Sequence, residues 1–148
     1  MRRWLANSTL AAGLLALALG AVQPSSAQST LRSPESVKSA LGILSRVVSE
    51  SGKLIAAHRY DQLPRESTEF EAGLTALRQG LGNGPSPLNS KLEPLVGKAR
   101  VASSAMSEAV EAHRDSMLPL AHRQLAAAVS EIIASFPPDL RPAAAGGY

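Results

Sequence analysis

Apolar residues recur in alternating steps of four and three along four segments, and this spacing constrains the fold more than any other feature of the chain. Such steps place side chains on one stripe of an α-helix, whereas a strand alternates every second residue. The four stripes are Val37, Leu41, Leu44, Val48, Ser51, Ile55 and His58; Leu63, Ser67, Phe70, Leu74, Leu77 and Leu81; Leu92, Val96, Ala99, Ser103, Met106, Val110 and His113; and Leu118, His122, Leu125, Val129, Ile132 and Phe136. The spacing therefore predicts an all-α fold with four amphipathic helices.

The residues between the stripes predict where the helices begin and end. Ser33-Pro34-Glu35 offers an N-cap, a proline suited to the first turn and an acid suited to the helix dipole. Asp61 is the candidate cap of the second helix, with Pro64 inside its first turn. Residues 82–87, Gly-Asn-Gly-Pro-Ser-Pro, are the strongest turn signal. After that turn, Ser90 with Glu93 forms a possible capping box for the third helix, with Pro94 in the first turn or one step past it.

The two halves of the helical region match at one constant offset, which takes Ala57 to Ala112. Ala57-His58-Arg59 corresponds to Ala112-His113-Arg114, and Leu63-Pro64 corresponds to Leu118-Pro119. Asp61 corresponds to Ser116, and both are candidate N-caps. Every stripe position of the first two helices falls on a stripe position of the last two. The match favours a duplicated helical hairpin, and chance convergence of two amphipathic hairpins is the alternative.

Four helices of this kind bury their stripes most simply as an up-down-up-down four-helix bundle. Neither helix break contains a glycine, so each break could instead be a proline kink. The chain would then form two long kinked helices joined at residues 82–87, with part of the stripe buried in a dimer. A monomer and a homodimer both remain open at this point.

Residues 1–27 have the three parts of a secretory signal peptide. Arg2 and Arg3 precede an almost wholly apolar run from Leu10 to Val22, and small residues lead to a cleavage site near Ala27. The run is shorter than the roughly 20 residues of a spanning helix, so cleavage is favoured over a membrane anchor. We therefore expect a periplasmic or secreted protein without stable membrane insertion. Residues 28–32 would be a flexible lead-in, 33–136 the bundle and 137–148 a disordered tail.

Composition excludes several classes of function. The absence of cysteine rules out disulfides, thiolate nucleophiles, iron–sulfur clusters and covalent c-type haem. Removal of the signal takes away Arg2 and Arg3 and no acid, which lowers the formal net charge from +3 to +1. The remaining charges are scattered and aromatic residues are few, so we expect no nucleic-acid binding.

All three histidines lie in Ala-His-Arg triplets on the predicted stripes. His58, His113 and His122 would meet at one end of a bundle, where imidazoles could bind a divalent metal or a non-covalent haem. The neighbouring Arg59, Arg114 and Arg123 could contact haem propionates or another anion. Structural histidines that interact with a helix dipole are the alternative.

The remaining polar residues show no catalytic set. Glu66, Glu69 and Glu71 resemble the paired carboxylates of a catalytic site, but helical spacing spreads them over the solvated side of the helix. The serines on the predicted helices have no adjacent base that would make a nucleophile, and no Glu-x-x-His pair offers di-iron ligands.

Two local stretches resemble the exported four-helix bundles of the cytochrome c′ and cytochrome b562 group. They are Tyr60-Asp61-Gln62-Leu63-Pro64, at the start of the second helix, and Ala121-His122-Arg123-Gln124-Leu125, within the last. The resemblance implies a four-helix bundle in an exported protein. The haem ligands do not carry over, because residues 130–135 contain no Cys-x-x-Cys-His motif, the first helix has no Met and the last ends in Phe136.

These patterns favour a non-enzymatic periplasmic helical protein that binds an unknown protein or small ligand and needs no cofactor. The alternative is a periplasmic metal- or b-type-haem-binding protein, for redox or storage, that uses the histidine cluster.

Overall fold

The computed structural model describes residues 31–143. The predicted signal peptide and cleavage site, residues 28–30 of the lead-in and residues 144–148 of the tail lie outside the described residues. Leu31, which we predicted in a flexible lead-in, packs against the core. None of the described helices is long and apolar enough to cross a membrane.

Four α-helices make up most of the described chain. They are α1 (Pro34–Ala56), α2 (Leu63–Leu81), α3 (Pro87–Glu111) and α4 (Leu118–Ala134). Consecutive helices pack side by side and α4 returns to α1, which closes an up-down-up-down bundle. Residues 31–143 contain no β-strand. The predicted all-α four-helix bundle is confirmed.

The starts of α1 and α3 follow one rule, a serine cap followed by proline. Ser33 accepts a hydrogen bond from the amide of Ser36 at 3.3 Å, as predicted. Ser86 caps α3 in the same way, so the helix begins at Pro87 and the predicted capping box at Ser90 is wrong. Pro94 consequently lies inside α3, where it is exposed and solvent can hydrate the carbonyl left without an amide partner.

The chain leaves α1 and α3 through the same cap motif. His58 and His113 adopt left-handed backbone conformations, with φ of +55° and +52°. The amide of Arg59 donates to the carbonyl of Leu54 at 2.9 Å, and the second cap repeats this bond at 2.8 Å. This is a Schellman motif, in which glycine usually occupies the left-handed position. Histidine therefore ends each helix where the sequence offers no glycine.

The caps reverse the chain, so the alternative of two long proline-kinked helices is wrong. Near the start of α1, the amide of Ser33 donates to the carbonyl of Gly80 at 3.0 Å, which sets α1 and α2 antiparallel. A Cβ placed on Gly80 would lie 2.8 Å from Val37 Cγ2, so the two helices are in close contact there. The hairpin of α1 and α2 is therefore held together at both of its ends. The oligomeric state of the protein stays a prediction.

Short 3₁₀ turns, Tyr60–Gln62 and Asp115–Met117, precede α2 and α4. Neither α2 nor α4 has a side-chain cap hydrogen bond, so the predicted caps at Asp61 and Ser116 are wrong. The 3₁₀ turns themselves supply the backbone geometry that leads into these helices. Pro64 lies in the first turn of α2, as predicted.

The two helical hairpins repeat in space at the offset that the sequence predicts. The ends of α1 and α3, the left-handed histidines, the 3₁₀ turns and the starts of α2 and α4 all correspond. Buried positions correspond as well: Val37 with Leu92, Leu44 with Ala99, Phe70 with Leu125, and Leu77 with Ile132. The structure repeats with the sequence, and descent from one duplicated hairpin stays a prediction.

The tail is ordered at its start, contrary to the prediction. A 3₁₀ turn, Pro138–Leu140, packs against α1, and Leu140 is buried in the core. Arg141 donates to the carbonyls of Phe136 at 2.7 Å and Ala134 at 3.0 Å. Burial of one leucine and capping of the free carbonyls of α4 offset the entropy of ordering this segment.

Candidate binding groove

The histidines do not share a buried stripe. His58 and His113 lie in exposed caps two residues beyond the last helical residues, where the chain has already left the helical spacing. The predicted place of these two residues on the stripe is therefore wrong. His58 Nδ1 is 2.7 Å from the Tyr60 hydroxyl, and the two rings meet edge to face.

His122 belongs to the contact between α4 and α1. Its Nε2 donates to the carbonyl of Val48 at 2.8 Å, and its ring lies over Gly52, where a Cβ would come within 3.0 Å of Cε1. Because that nitrogen carries the donated proton, its lone pair cannot bind a metal. The ring instead ties the two helices together, which is the structural alternative.

The described residues contain no group of three His, Cys, Asp or Glu side chains able to hold a metal ion. Arg59, Arg114 and Arg123 are exposed and form no ion pair with another described residue. Binding of a divalent metal or haem by the histidines, and of an anion by these arginines, stays a prediction.

A groove with a volume of about 720 Å³ lies between α2 and α3. It extends from Leu74 and Arg100 to the turn at residues 82–86. This size falls within the range of ligand pockets in proteins, which is about 300–1,000 Å³. The floor is aliphatic, formed by Leu74, Leu77, Leu81, Leu92 and Val96.

The groove is the open counterpart of a closed interface on the other side of the bundle. The repeat maps α2 onto α4 and α3 onto α1, so the α2/α3 contact corresponds to the α4/α1 contact. Leu81 and Val96 are half-buried, whereas their counterparts Phe136 and Leu41 are only 1% and 0% exposed. In the closed interface the turn carrying Leu140 covers α1. Among residues 31–143, no segment covers α3 in the same way, so Leu81 and Val96 keep part of their surface accessible. The other floor residues, Leu74, Leu77 and Leu92, are only 4%, 2% and 2% exposed.

Charged side chains line the rim of the groove. Arg100 forms a bidentate pair with Glu71 across the two helices, at 3.0 to 3.2 Å. Arg78 makes no side-chain hydrogen bond or ion pair with the described residues, and Glu93 is likewise unpaired there. Because Arg100 is already paired with Glu71, Arg78 is the arginine of the rim whose guanidinium remains available to a bound anion.

Gly97 opens the groove on the α3 side. A Cβ placed on Gly97 would meet no atom within 4 Å, and the same holds for its repeat counterpart Gly42 on α1. A side chain at position 97 would therefore project into open space beside the floor. A glycine inside a predicted helix was the one signal of the groove in the sequence. The width of the groove depends on how the helices pack, and the periodicity of the sequence does not encode that packing.

Glu66 is buried, although we predicted it on the solvated side. It follows Leu63 by three residues and precedes Phe70 by four, which places it on the buried stripe of α2. Burial, followed by the nearby Glu69 carboxylate, raises the pKa of Glu66. A hydrogen bond from Arg46 lowers the pKa of Glu69, which is half-buried.

Comparison of the chain with protein-family models, curated proteins and solved structures finds no match. The resemblance to the cytochrome c′ and cytochrome b562 group stays a prediction beyond the shared four-helix architecture. A functional interpretation therefore depends on the geometry of the groove.

Proposed function

We propose that this protein is an exported, non-enzymatic binding protein, and that the α2/α3 groove holds the aliphatic chain of an anionic amphiphile. The observation that carries the proposal is a groove of about 720 Å³ with an aliphatic lining and, on its rim, the guanidinium of Arg78, which has no partner among residues 31–143. No cofactor is required for this function. Export of the chain would place the groove in the periplasm or outside the cell.

The floor of the groove favours a flexible hydrocarbon over a planar ring. Its apolar lining consists of leucine and valine side chains, together with Pro85, and contains no aromatic residue for stacking. Helical walls also offer no strand edge, so an extended peptide would find no backbone partners for its own amides. A hydrocarbon chain has no such polar groups to satisfy.

The rim favours an anionic head group. Arg78 lies beside the floor without an acidic partner among the described residues, and a guanidinium binds a carboxylate through two parallel hydrogen bonds. Glu93, on the opposite helix, disfavours a second negative charge on the ligand. A single carboxylate at one end of an aliphatic chain matches both residues.

The test uses residues 28–148 and sodium dodecanoate below its micelle concentration. We expect dodecanoate to shift the amide NMR signals of Leu77, Leu92 and Gly97, with dodecanol binding more weakly. Gly97→Leu should fill the groove and weaken binding at least about tenfold, which corresponds to 1.4 kcal/mol. Gly42→Leu is the matched control, since it makes the same change at the equivalent site of α1, away from the groove.

Each outcome bears on a separate part of the proposal. Dodecanoate binding that Gly97→Leu leaves unchanged would place the site outside the groove. If the protein bound dodecanoate and dodecanol with equal affinity, the anionic head group would be removed from the proposal. The same would follow if Arg78→Gln bound dodecanoate as tightly as the parent. Absence of binding by both compounds would overturn it, and stoichiometric metal or haem lost on substitution of the histidines would support the alternative function.

A further inference from the structure

A second, much smaller cavity lies inside the bundle, away from the groove. It has a volume of about 10 Å³, and the side chains around it come from all four helices. Its polar lining consists of Ser51 from α1, Glu66 and Ser67 from α2, and Ser103 and Ser107 from α3. The apolar core thus contains a small polar site.

Two of these polar groups have no partner. Ser51 Oγ and Glu66 Oε2 are both inaccessible to solvent and form no hydrogen bond in the structure, and their residues are only 1% and 8% exposed. A buried polar atom without a partner costs about 1–3 kcal/mol, so native proteins rarely leave one unpaired. Two such atoms beside one cavity indicate a shared partner.

The remaining serines are already joined to one another. Ser67 Oγ is 3.2 Å from Ser103 Oγ, and Ser107 Oγ donates to the carbonyl of Ser103 at 3.4 Å. Each hydroxyl has two lone pairs and one proton, so Ser67 and Ser103 keep capacity for a further bond. The cavity therefore offers two unpaired groups and further hydroxyls with spare lone pairs.

We propose that this cavity binds one water molecule, which bridges Ser51 Oγ and Glu66 Oε2. The volume matches that of a single water, which needs about 10–15 Å³ and two to four polar partners. Water can donate to an ionised Glu66 or accept from a protonated one, so the bridge persists in both states of the carboxyl. The molecule joins α1 to α2 at a level where no direct side-chain hydrogen bond links those two residues.

The test is a crystal structure at about 1.5 Å resolution together with NMR of residues 28–148. We expect one isolated density peak 2.6–3.2 Å from both Ser51 Oγ and Glu66 Oε2. We also expect cross-peaks between water and the methyl groups of Val47 and Met106, which line the cavity. Ser51→Val should fill the cavity, with loss of both the density and the cross-peaks.

Ser49→Val, an exposed position on the same helix, is the matched control and should keep the density and the cross-peaks. An empty cavity in the parent structure, or a direct bond between Ser51 and Glu66, would overturn the proposal. So would a metal cation in the cavity, recognised by contacts near 2.4 Å. The measurements on the parent protein decide the matter even if Ser51→Val fails to fold.

Discussion

Because His113 lies in a left-handed helix cap, its replacement by glycine should stabilise the protein. A histidine buried on an amphipathic stripe would instead be expected to lose stability on the same substitution. His113 has φ of +52°, and its exposed side chain makes no hydrogen bond or ion pair with another described residue. A residue with a Cβ loses about 1–2 kcal/mol in this conformation. Glycine avoids that cost but adds about 0.5–1 kcal/mol of backbone entropy to the unfolded chain. We therefore expect His113→Gly to raise the free energy of unfolding by about 0.5–1 kcal/mol.

The assay is unfolding of residues 28–148 by urea and by heat, followed by circular dichroism at 222 nm. For a domain of this size the expected gain raises Tm by about 2–4 °C. His113→Ala keeps the Cβ and should change stability by less than about 0.5 kcal/mol. His58→Gly should gain less than His113→Gly, because it forfeits the contact with Tyr60. A clear loss of stability in His113→Gly would refute the reasoning and return this histidine to the buried stripe.

Two further predictions concern close packing and buried charge. Gly42→Ala should stabilise the protein by about 0.5–1 kcal/mol, since its Cβ enters open space. Gly80→Ala should destabilise it by about 1–3 kcal/mol, since its Cβ would lie 2.8 Å from Val37 Cγ2 and 3.0 Å from the Val37 backbone nitrogen. Urea titrations of both variants check this pair, and equal effects would contradict it. Burial raises the pKa of Glu66 in the folded protein above its ordinary value of 4.5. The folded state therefore binds the proton more tightly, and the stability that this adds is fully present below pH 4.5 and is lost as the pH rises through the pKa of the folded protein. Glu66→Gln should therefore exceed the parent in stability at pH 7 but not near pH 4, and a difference independent of pH would contradict this expectation.

The four helices could be predicted because their pattern is local. Stripe residues such as Leu44, Phe70 and Ile132 are buried as the spacing indicates, and the N-cap at Ser33 lies where Ser-Pro-Glu predicts it. The repeat that takes Ala57 to Ala112 is also present in three dimensions. Periodicity carries this information because burial of one helix face follows from the geometry of the helix itself.

Neither the position of the histidines nor the groove could be predicted, and the physical reason differs between them. The numerical spacing of the stripe continues through His58, but the backbone leaves the helix at Ala57, so the next residue no longer shares its face. A helix end without glycine gives no local signal for a left-handed cap. The groove depends on the distance between α2 and α3, which side chains of both helices set together. A single helix pattern cannot encode that distance.

The asymmetry between the two hairpins explains why this bundle has one open interface. After α4 the chain continues into the turn Pro138–Leu140, which packs against α1, and Arg141 donates to the carbonyls of Ala134 and Phe136. After α2 the chain must reach α3 within residues 82–86, and Asn89 fixes that turn by donating to the carbonyl of Gly84 at 2.7 Å. No residues remain there to cover the aliphatic floor. The turn after α4 therefore covers α1, whereas the short connection after α2 leads directly into α3 and leaves Leu81 and Val96 half-buried, and we propose that a ligand supplies the missing cover.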